Sequence, residues 1–242
     1  MKTSIARKEK GEIFFTRIEL TTIYENIISG KYAEEVNKVR EDFPLTLLHN
    51  GPKFNELDSV KKARRVCFAA EWKKTEGKTV INNFNGLILL EINRLENDDQ
   101  AKKIRDQAAK IPYTLMTFIG ITGCSVKIVC RATLPDGKLP DENRQTFINE
   151  AYRKLHYIYS TQLQMSIDNI PPTLETSCCV SVDFDAIIHE DAIPLSIKDN
   201  EKTPSLKPLV MPQKSRRTAY LYGKNKVADQ SDAISLLFYG CA

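Results

Sequence analysis

The stretch Asn85-Gly-Leu-Ile-Leu-Leu-Glu-Ile-Asn93 decides how this chain is read. From Leu87 to Asn93 it has the composition of a buried strand. Successive side chains on a strand point to opposite sides, so Ile88, Leu90 and Ile92 share one face and Leu89, Glu91 and Asn93 the other. A carboxylate and a second oxygen donor therefore stand side by side at the end of an apolar strand. Metal-dependent phosphoryl-transfer sites use paired carboxylates in this way to offset the charge of their ions. Here the second position is an amide.

Outward from that strand, Asn97 or Asp98 is placed to cap a helix over residues 99–110, whose Ala101, Ile104, Ala108 and Ile111 form one apolar face. Pro112 stops it. Residues 113–119 read as a second strand, Ile121 to Cys124 as a turn, and residues 125–132 as a third strand. This β-α-β-β order predicts an α+β fold, a mostly antiparallel sheet with helices on one face. A long helix follows over 141–163, with Phe147, Ile148, Ala151, Leu155, Ile158 and Tyr159 inward, and residues 176–184 read as a further strand. Before the central stretch, residues 1–12 read as a flexible basic tail and 13–19 as a strand. Residues 21–40 read as helix, either continuous or divided at Gly30, and 65–72 as a strand carrying the single Trp. The folded domain is expected over 13–196. Residues 197–217, rich in Pro and Lys, read as a linker or draped loop, and 218–242 as the start of a further helical segment of a longer protein.

The bulk properties exclude several classes. The 242 residues are 42% apolar and 27% charged, ordinary for a globular protein, and 35 basic against 31 acidic residues leave a net charge of +4. No run approaches the roughly 18 apolar residues of a membrane span. The basic N-terminus lacks the apolar centre of a signal peptide, so a cytoplasmic location is expected. The six cysteines, at 67, 124, 130, 178, 179 and 241, have neither CxxC spacing nor a companion His, and read as small buried residues rather than zinc ligands or a disulfide framework. There is no GxxxxGK(S/T) phosphate loop and no GxSxG, and His49, His156 and His189 are scattered.

Three elements carry candidate chemistry. Glu91 and Asn93 form the first. On the strand Ser125-Val-Lys-Ile-Val-Cys-Arg131, Lys127 and Arg131 share a face just after a Gly-containing turn, a reasonable phosphate clamp. On Cys179-Val-Ser-Val-Asp-Phe-Asp185, Asp183 and Asp185 share a face and supply a real carboxylate pair. Each has a plain alternative: Glu91 pairs with a nearby cation such as Arg94, the two strand cations face water, and the aspartates cap the next turn. Basic clusters at Lys2 to Lys10, at Lys61-Lys62-Ala-Arg64-Arg65 and at Lys214-Ser-Arg216-Arg217 are further phosphate candidates.

The order of these segments resembles a known bacterial family, the VirE N-terminal-type domain of the archaeo-eukaryotic primase-polymerase superfamily. The resemblance rests on the run from Asn85 to Leu95, the run from Pro112 to Arg131, Phe147-Ile-Asn-Glu-Ala-Tyr-Arg-Lys-Leu-His156, Ser177 to Ala186, and Glu190-Asp-Ala-Ile-Pro194, and covers about residues 30–196. It implies an α/β module beside a recognition-motif-like sheet, with the active site between them, at the head of a longer mobile-element replication protein that carries helicase-like or helical domains. It gives Glu91 and Asn93 the metal-binding pair, with Mg²⁺ or Mn²⁺ as cofactor. Lys127 takes the place of a phosphate-binding histidine, and Asp183 or Asp185 that of the later acid.

Two departures shape the expected function. Asn93 removes a formal charge from a centre that must hold two dications, and Mg²⁺ favours carboxylates and water over amides. Lys127 keeps a cation but not the histidine's shape. The expectation is a domain that binds single-stranded DNA or nucleotides, with catalysis weak or lost. Lys127, Arg131, Arg64 and Arg65 would meet phosphates, and Trp72 or Phe84 would stack on a base. The alternatives are an active metal-dependent nucleotidyltransferase using Glu91, Asp183 and Asp185, and a protein-interaction domain on the same fold.

Overall fold

The computed structural model describes residues 1–9, 12–75, 78–170 and 172–198. The expected linker at 197–217 lies outside these residues from 199 onward, as does the whole expected helical segment at 218–242. The fold is α+β with antiparallel sheets and five α-helices among the described residues.

The strand that opened the reading is β6 (Leu87–Ile92), and every residue in it is buried. It pairs antiparallel with β8 (Val126–Thr133), whose other side pairs antiparallel with β7 (Thr114–Ile119). Two short strands complete this sheet: β10 (Ile187–Ile188) antiparallel on β7, and β11 (Leu195–Ser196) parallel to the end of β8. Between β6 and β7 runs α4 (Asp98–Ala109). Its Asn97 side chain accepts a hydrogen bond from the Gln100 N–H at 2.9 Å, and Asp98 and Asp99 in the first turn complement the helix dipole.

A single helical layer was expected, and the structure differs. Ile88, Leu90 and Ile92 pack with Val126, Ile128 and Cys130 beneath α4 and α5 (Arg144–Leu163). Leu87, Leu89, Phe118 and Val129 pack the other way, against α1 (Leu20–Ile28) and a second sheet. Burial on both sides explains why these strands read as near-continuous apolar runs instead of alternating with polar residues.

That second sheet corrects the expected tail. Residues 2–9 form β1 (Lys2–Glu9), paired along its length with β2 (Glu12–Glu19) and on its other side with β3 (Arg65–Cys67), which pairs with β9 (Ser177–Cys179). Thr3, Ser4, Ile5 and Ala6 are buried, while the charged Arg7, Lys8 and Glu9 that gave the segment a tail-like composition lie at the exposed end. The expected strand over 65–72 is divided. Its second half belongs to β4 (Ala70–Thr75), which forms a separate hairpin with β5 (Lys78–Phe84). The expected strand over 176–184 ends at Cys179, and residues 180–186 form a loop and turn.

The helix over 21–40 is divided as Gly30 allowed. α1 ends at Ile28 and α2 (Ala33–Asp42) begins after Gly30, whose φ of 70° suits glycine. α3 (Asp58–Lys62) packs with α2 through Val36, Val39, Leu57 and Val60. The five described cysteines are free thiols, and burial pushes those of Cys67 and Cys130 up to about 12, so they are inert at neutral pH. Among the described residues no helix is long and apolar enough to cross a membrane.

If β1 is integral to the fold, Ile5→Ala will lower unfolding stability by about 2–4 kcal/mol in urea, within the range for a buried Ile. Lys8→Ala should be near neutral. Equal, negligible effects would return the segment to a tail.

Candidate functional site

β6 and β8 are in register so that Glu91 lies opposite Lys127, with Phe118 of β7 on the other side of Lys127. The Glu91 and Lys127 side chains point toward the second sheet and are sealed from water, at 2% and 7% exposure for the two residues. The Lys127 ammonium donates to Glu91 Oε2 at 2.6 Å and to Asn93 Oδ1 at 2.9 Å. The Asn93 amide closes the triangle, donating to the same Glu91 oxygen at 3.1 Å. The fold brings Glu91, Asn93 and Lys127 to one point. There the cation is a partner of the two oxygen donors instead of a separate phosphate ligand.

Glycine makes room for the lysine. Gly120 begins the turn after β7, and a Cβ at that position would lie 2.9 Å from Lys127 Cε. The turn is closed by Gly120 N–H to Ser125 O at 2.8 Å and Gly123 N–H to Gly120 O at 3.0 Å, with Gly123 at φ 79°. Arg40 of α2 braces it, donating from Nε to Ile121 O and from Nη2 to Val182 O, both at 3.1 Å.

Sequence reasoning missed Asp168. It lies on the segment leaving α5, which runs along the outer edge of β6. The Asp168 N–H donates to Glu91 O at 2.9 Å, and its Oδ2 accepts from the Asn93 N–H at 2.6 Å. The hydroxyl of Tyr152 in α5 fixes this segment, donating to Asp168 O at 2.6 Å and accepting from Ile170 N–H at 3.0 Å. His156 Nε2 lies 3.1 Å from Ile167 O. Burial raises the Asp168 carboxyl above the ordinary Asp value and lowers the His156 imidazole below the ordinary His value. Nothing in the spacing of Ser166-Ile-Asp-Asn169 ties it to Asn93, 75 residues earlier. The only available signal is an acidic residue just beyond a long helix.

Asp183 and Asp185 do not join this cluster. They sit on the loop after β9 and share no strand face. Asp183 is buried and spends both oxygens: Oδ1 accepts from Arg105 Nη1 at 2.7 Å and from Asp185 N–H at 3.2 Å, and Oδ2 from Ile119 N–H at 2.8 Å. Asp185 is exposed, 3.8 Å from Arg105. The pair thus acts as a cap for its own turn, tied to α4 and the end of β7.

The other basic candidates are scattered. Arg64 donates from Nη1 to Glu35 Oε2 at 2.6 Å and from its backbone N–H to Oε1 of the same carboxylate. Arg65 bonds Ser177 Oγ at 3.1 Å, Ser177 O at 3.0 Å and Cys179 Sγ at 3.3 Å. Arg131 is half-buried, and its Nε has no hydrogen-bond partner among the described residues. Trp72 and Phe84 are buried, Trp72 beside Phe15 and Phe84 edge-on to Phe147 at 6.0 Å, so neither is open to a base as expected.

The implied metal can be tested against this donor set. Both oxygens that would bind it already face an ammonium, the later acids are neutralised by Arg105, and no group of three or more His, Cys, Asp or Glu among the described residues is placed to hold an ion. These residues do not fit a pair of divalent cations.

A family model described as BT4734-like, N-terminal domain matches residues 59–187, more than half of the chain. The chain belongs to that family. The matched region runs from α3 to the start of β10 and contains Glu91, Asn93, Lys127, Asp168, Arg105 and Asp183; β1, β2, α1 and α2 precede it. No curated protein and no solved structure matches the chain.

Two measurements test the cluster. Lys127→Met leaves the Glu91 charge buried without its partner and should cost about 3–5 kcal/mol, whereas Glu91→Leu with Lys127→Met should recover most of that loss. Equal instability of the single and double variants would show that the two residues do not act as a pair. For Asp168, the raised value in the folded state means that the fold holds this proton more tightly than the unfolded chain does. Its stabilising contribution is therefore full below the ordinary value of 3.8 and is lost as pH rises through the raised one. Relative to Asp168→Asn, the wild type should lose stability from about pH 4 toward neutrality in urea unfolding series. A pH-independent difference would contradict the assignment.

Proposed function

We propose that this domain is a primase-polymerase-like module of a mobile-element replication protein, one that binds single-stranded DNA or nucleotides and has lost metal-dependent chain synthesis. The order of segments resembling that superfamily supports the module, and the antiparallel α+β architecture is compatible with it. The observation that carries the loss of catalysis is the Lys127 ammonium, 2.6 Å from Glu91 Oε2 and 2.9 Å from Asn93 Oδ1. An internal cation there supplies the positive charge that an ion would bring, yet it cannot accept a phosphate oxygen or activate a hydroxyl as a Lewis acid does. In this reading the domain works in the cytoplasm, presenting nucleic acid to helical or helicase-like domains of the same longer protein.

The test is primer synthesis on a single-stranded DNA template with Mg²⁺ or Mn²⁺, alongside binding of the same template measured against salt. Expected are no product and an affinity that falls as salt rises. Product made by the wild type and abolished by Glu91→Gln would overturn the loss of catalysis. Failure to bind at low salt would overturn the binding role.

A further inference from the structure

The N-terminal end of α5 borders a cleft of about 420 Å³. Asn143, Thr146, Phe147 and Glu150, spaced at i, i+3, i+4 and i+7, share one face and form one wall of it. Leu134, Pro140 and Ile197 supply the rest of its apolar lining. Phe147 and Ile197 belong to the core beneath α5 and Leu134 packs against that core, so the cleft reaches down to it. Its volume falls in the range of about 300–1,000 Å³ common to binding clefts. Asp141, Glu142 and Glu150 line the same cleft, and none of the three has an ion-pair partner among the described residues. An apolar base beside three unmatched carboxylates suits an occupant that is apolar and cationic together.

The chain itself carries such a segment, joined to the cleft. The Ile197 N–H donates to Thr133 O at 2.8 Å, next to the parallel pairing of β11 with β8, and this fixes where the chain passes the cleft wall. Residues 199–242 lie outside the described residues. Their sequence from 202 to 217 has five Lys and Arg and no Asp or Glu, and Leu206-Lys-Pro-Leu-Val-Met-Pro212 is its apolar run. Only residues 198–205 separate that run from Ile197. Extended, they reach about 30 Å, so the connection does not keep the run from a wall that Ile197 itself forms. So short a tether also holds the run at an effective concentration on the order of millimolar, where contacts too weak to retain a free peptide suffice. Pro204, Pro208 and Pro212 restrict the undocked chain and reduce the entropy lost on docking.

We propose that the run from Leu206 to Pro212 of the same chain docks in this cleft. Its apolar side chains meet Phe147, Leu134 and Ile197, and Lys202, Lys207 and Lys214 lie among Asp141, Glu142 and Glu150. Of the two readings that the sequence allows for residues 197–217, linker or draped loop, this is the second. It is independent of the nucleic-acid role proposed above.

Carbodiimide cross-linking, which joins a carboxylate directly to a lysine, tests it on the full chain. In a mixture of isotope-labelled and unlabelled protein, mass spectrometry tells links within one chain from links between two. Links from Lys202, Lys207 or Lys214 should concentrate on Asp141, Glu142 and Glu150 of the same chain, above those to the exposed Glu25, Glu41 and Glu96. Leu206→Asp with Leu209→Asp should lower them at least about fivefold, because it removes the apolar anchor. Thr203→Asp with Thr218→Asp adds the same charge, keeps the anchor and should retain most of them. Amide resonances of Phe147, Glu150 and Ile197 give a reading free of the cross-linking chemistry: the leucine variant should shift them and the threonine variant should not. Links no denser at the cleft than at Glu25, Glu41 and Glu96, or resonances unmoved by the leucine variant, would overturn the docking. Equal loss in both variants would show attraction by charge alone and overturn the apolar seat. Links mainly between labelled and unlabelled chains would give the cleft to a second copy and overturn the proposal.

Discussion

A lysine ammonium enclosed between a carboxylate and an amide oxygen, in the gap between two sheets, is the constraint around which the rest of this domain is organised. Burying a charge is costly unless it is paired and its hydrogen bonds are met. Lys127 meets that condition through Glu91 and Asn93, and the pairing requires β6 and β8 to keep their register. A slip of one residue would turn Glu91, on the strand that moved, into the apolar layer under α4 and α5 and leave Lys127 buried without it. The Gly120 turn, the Arg40 brace and the Asp168 segment then follow as the parts that let the lysine in, hold the adjacent loop and close the strand edge.

The same arrangement separates resemblance from chemistry. Glu91, Asn93 and Lys127 are adjacent, and charge balance within the triad is internal. Asp183, the other acid of interest, is tied to Arg105 and to the end of β7. Each acidic group that would gather metal ions has been given a protein cation instead. Membership of the BT4734-like N-terminal domain family covers this whole region without assigning it an activity.

Most of the central fold was legible because it depends on local pattern. The β6–α4–β7–β8 succession follows from apolar runs, one Asn cap and one Pro stop, all near in sequence. What was not legible depends on distant pairing. The polar end of β1 resembles a tail because half of its residues face water, and only its partners β2 and β3 make it a strand. Asp183 and Asp185 alternated as if on a strand, but β9 stops at Cys179 where its partner β3 begins at Arg65. Within the site, the Glu91–Asn93 face was readable from period-two alternation. Asp168 was not, since its role arises from a loop that folds back along an edge strand.

The central claim is that Lys127 stands where the resemblance implies a metal ion. Paramagnetic broadening by Mn²⁺ of assigned backbone amide resonances tests it most directly. The account predicts that substoichiometric Mn²⁺ leaves the amides of Glu91, Ile92, Asn93 and Asp168 as sharp as those of the buried sheet. Selective broadening centred on those residues, saturable and competed by Mg²⁺, would contradict it.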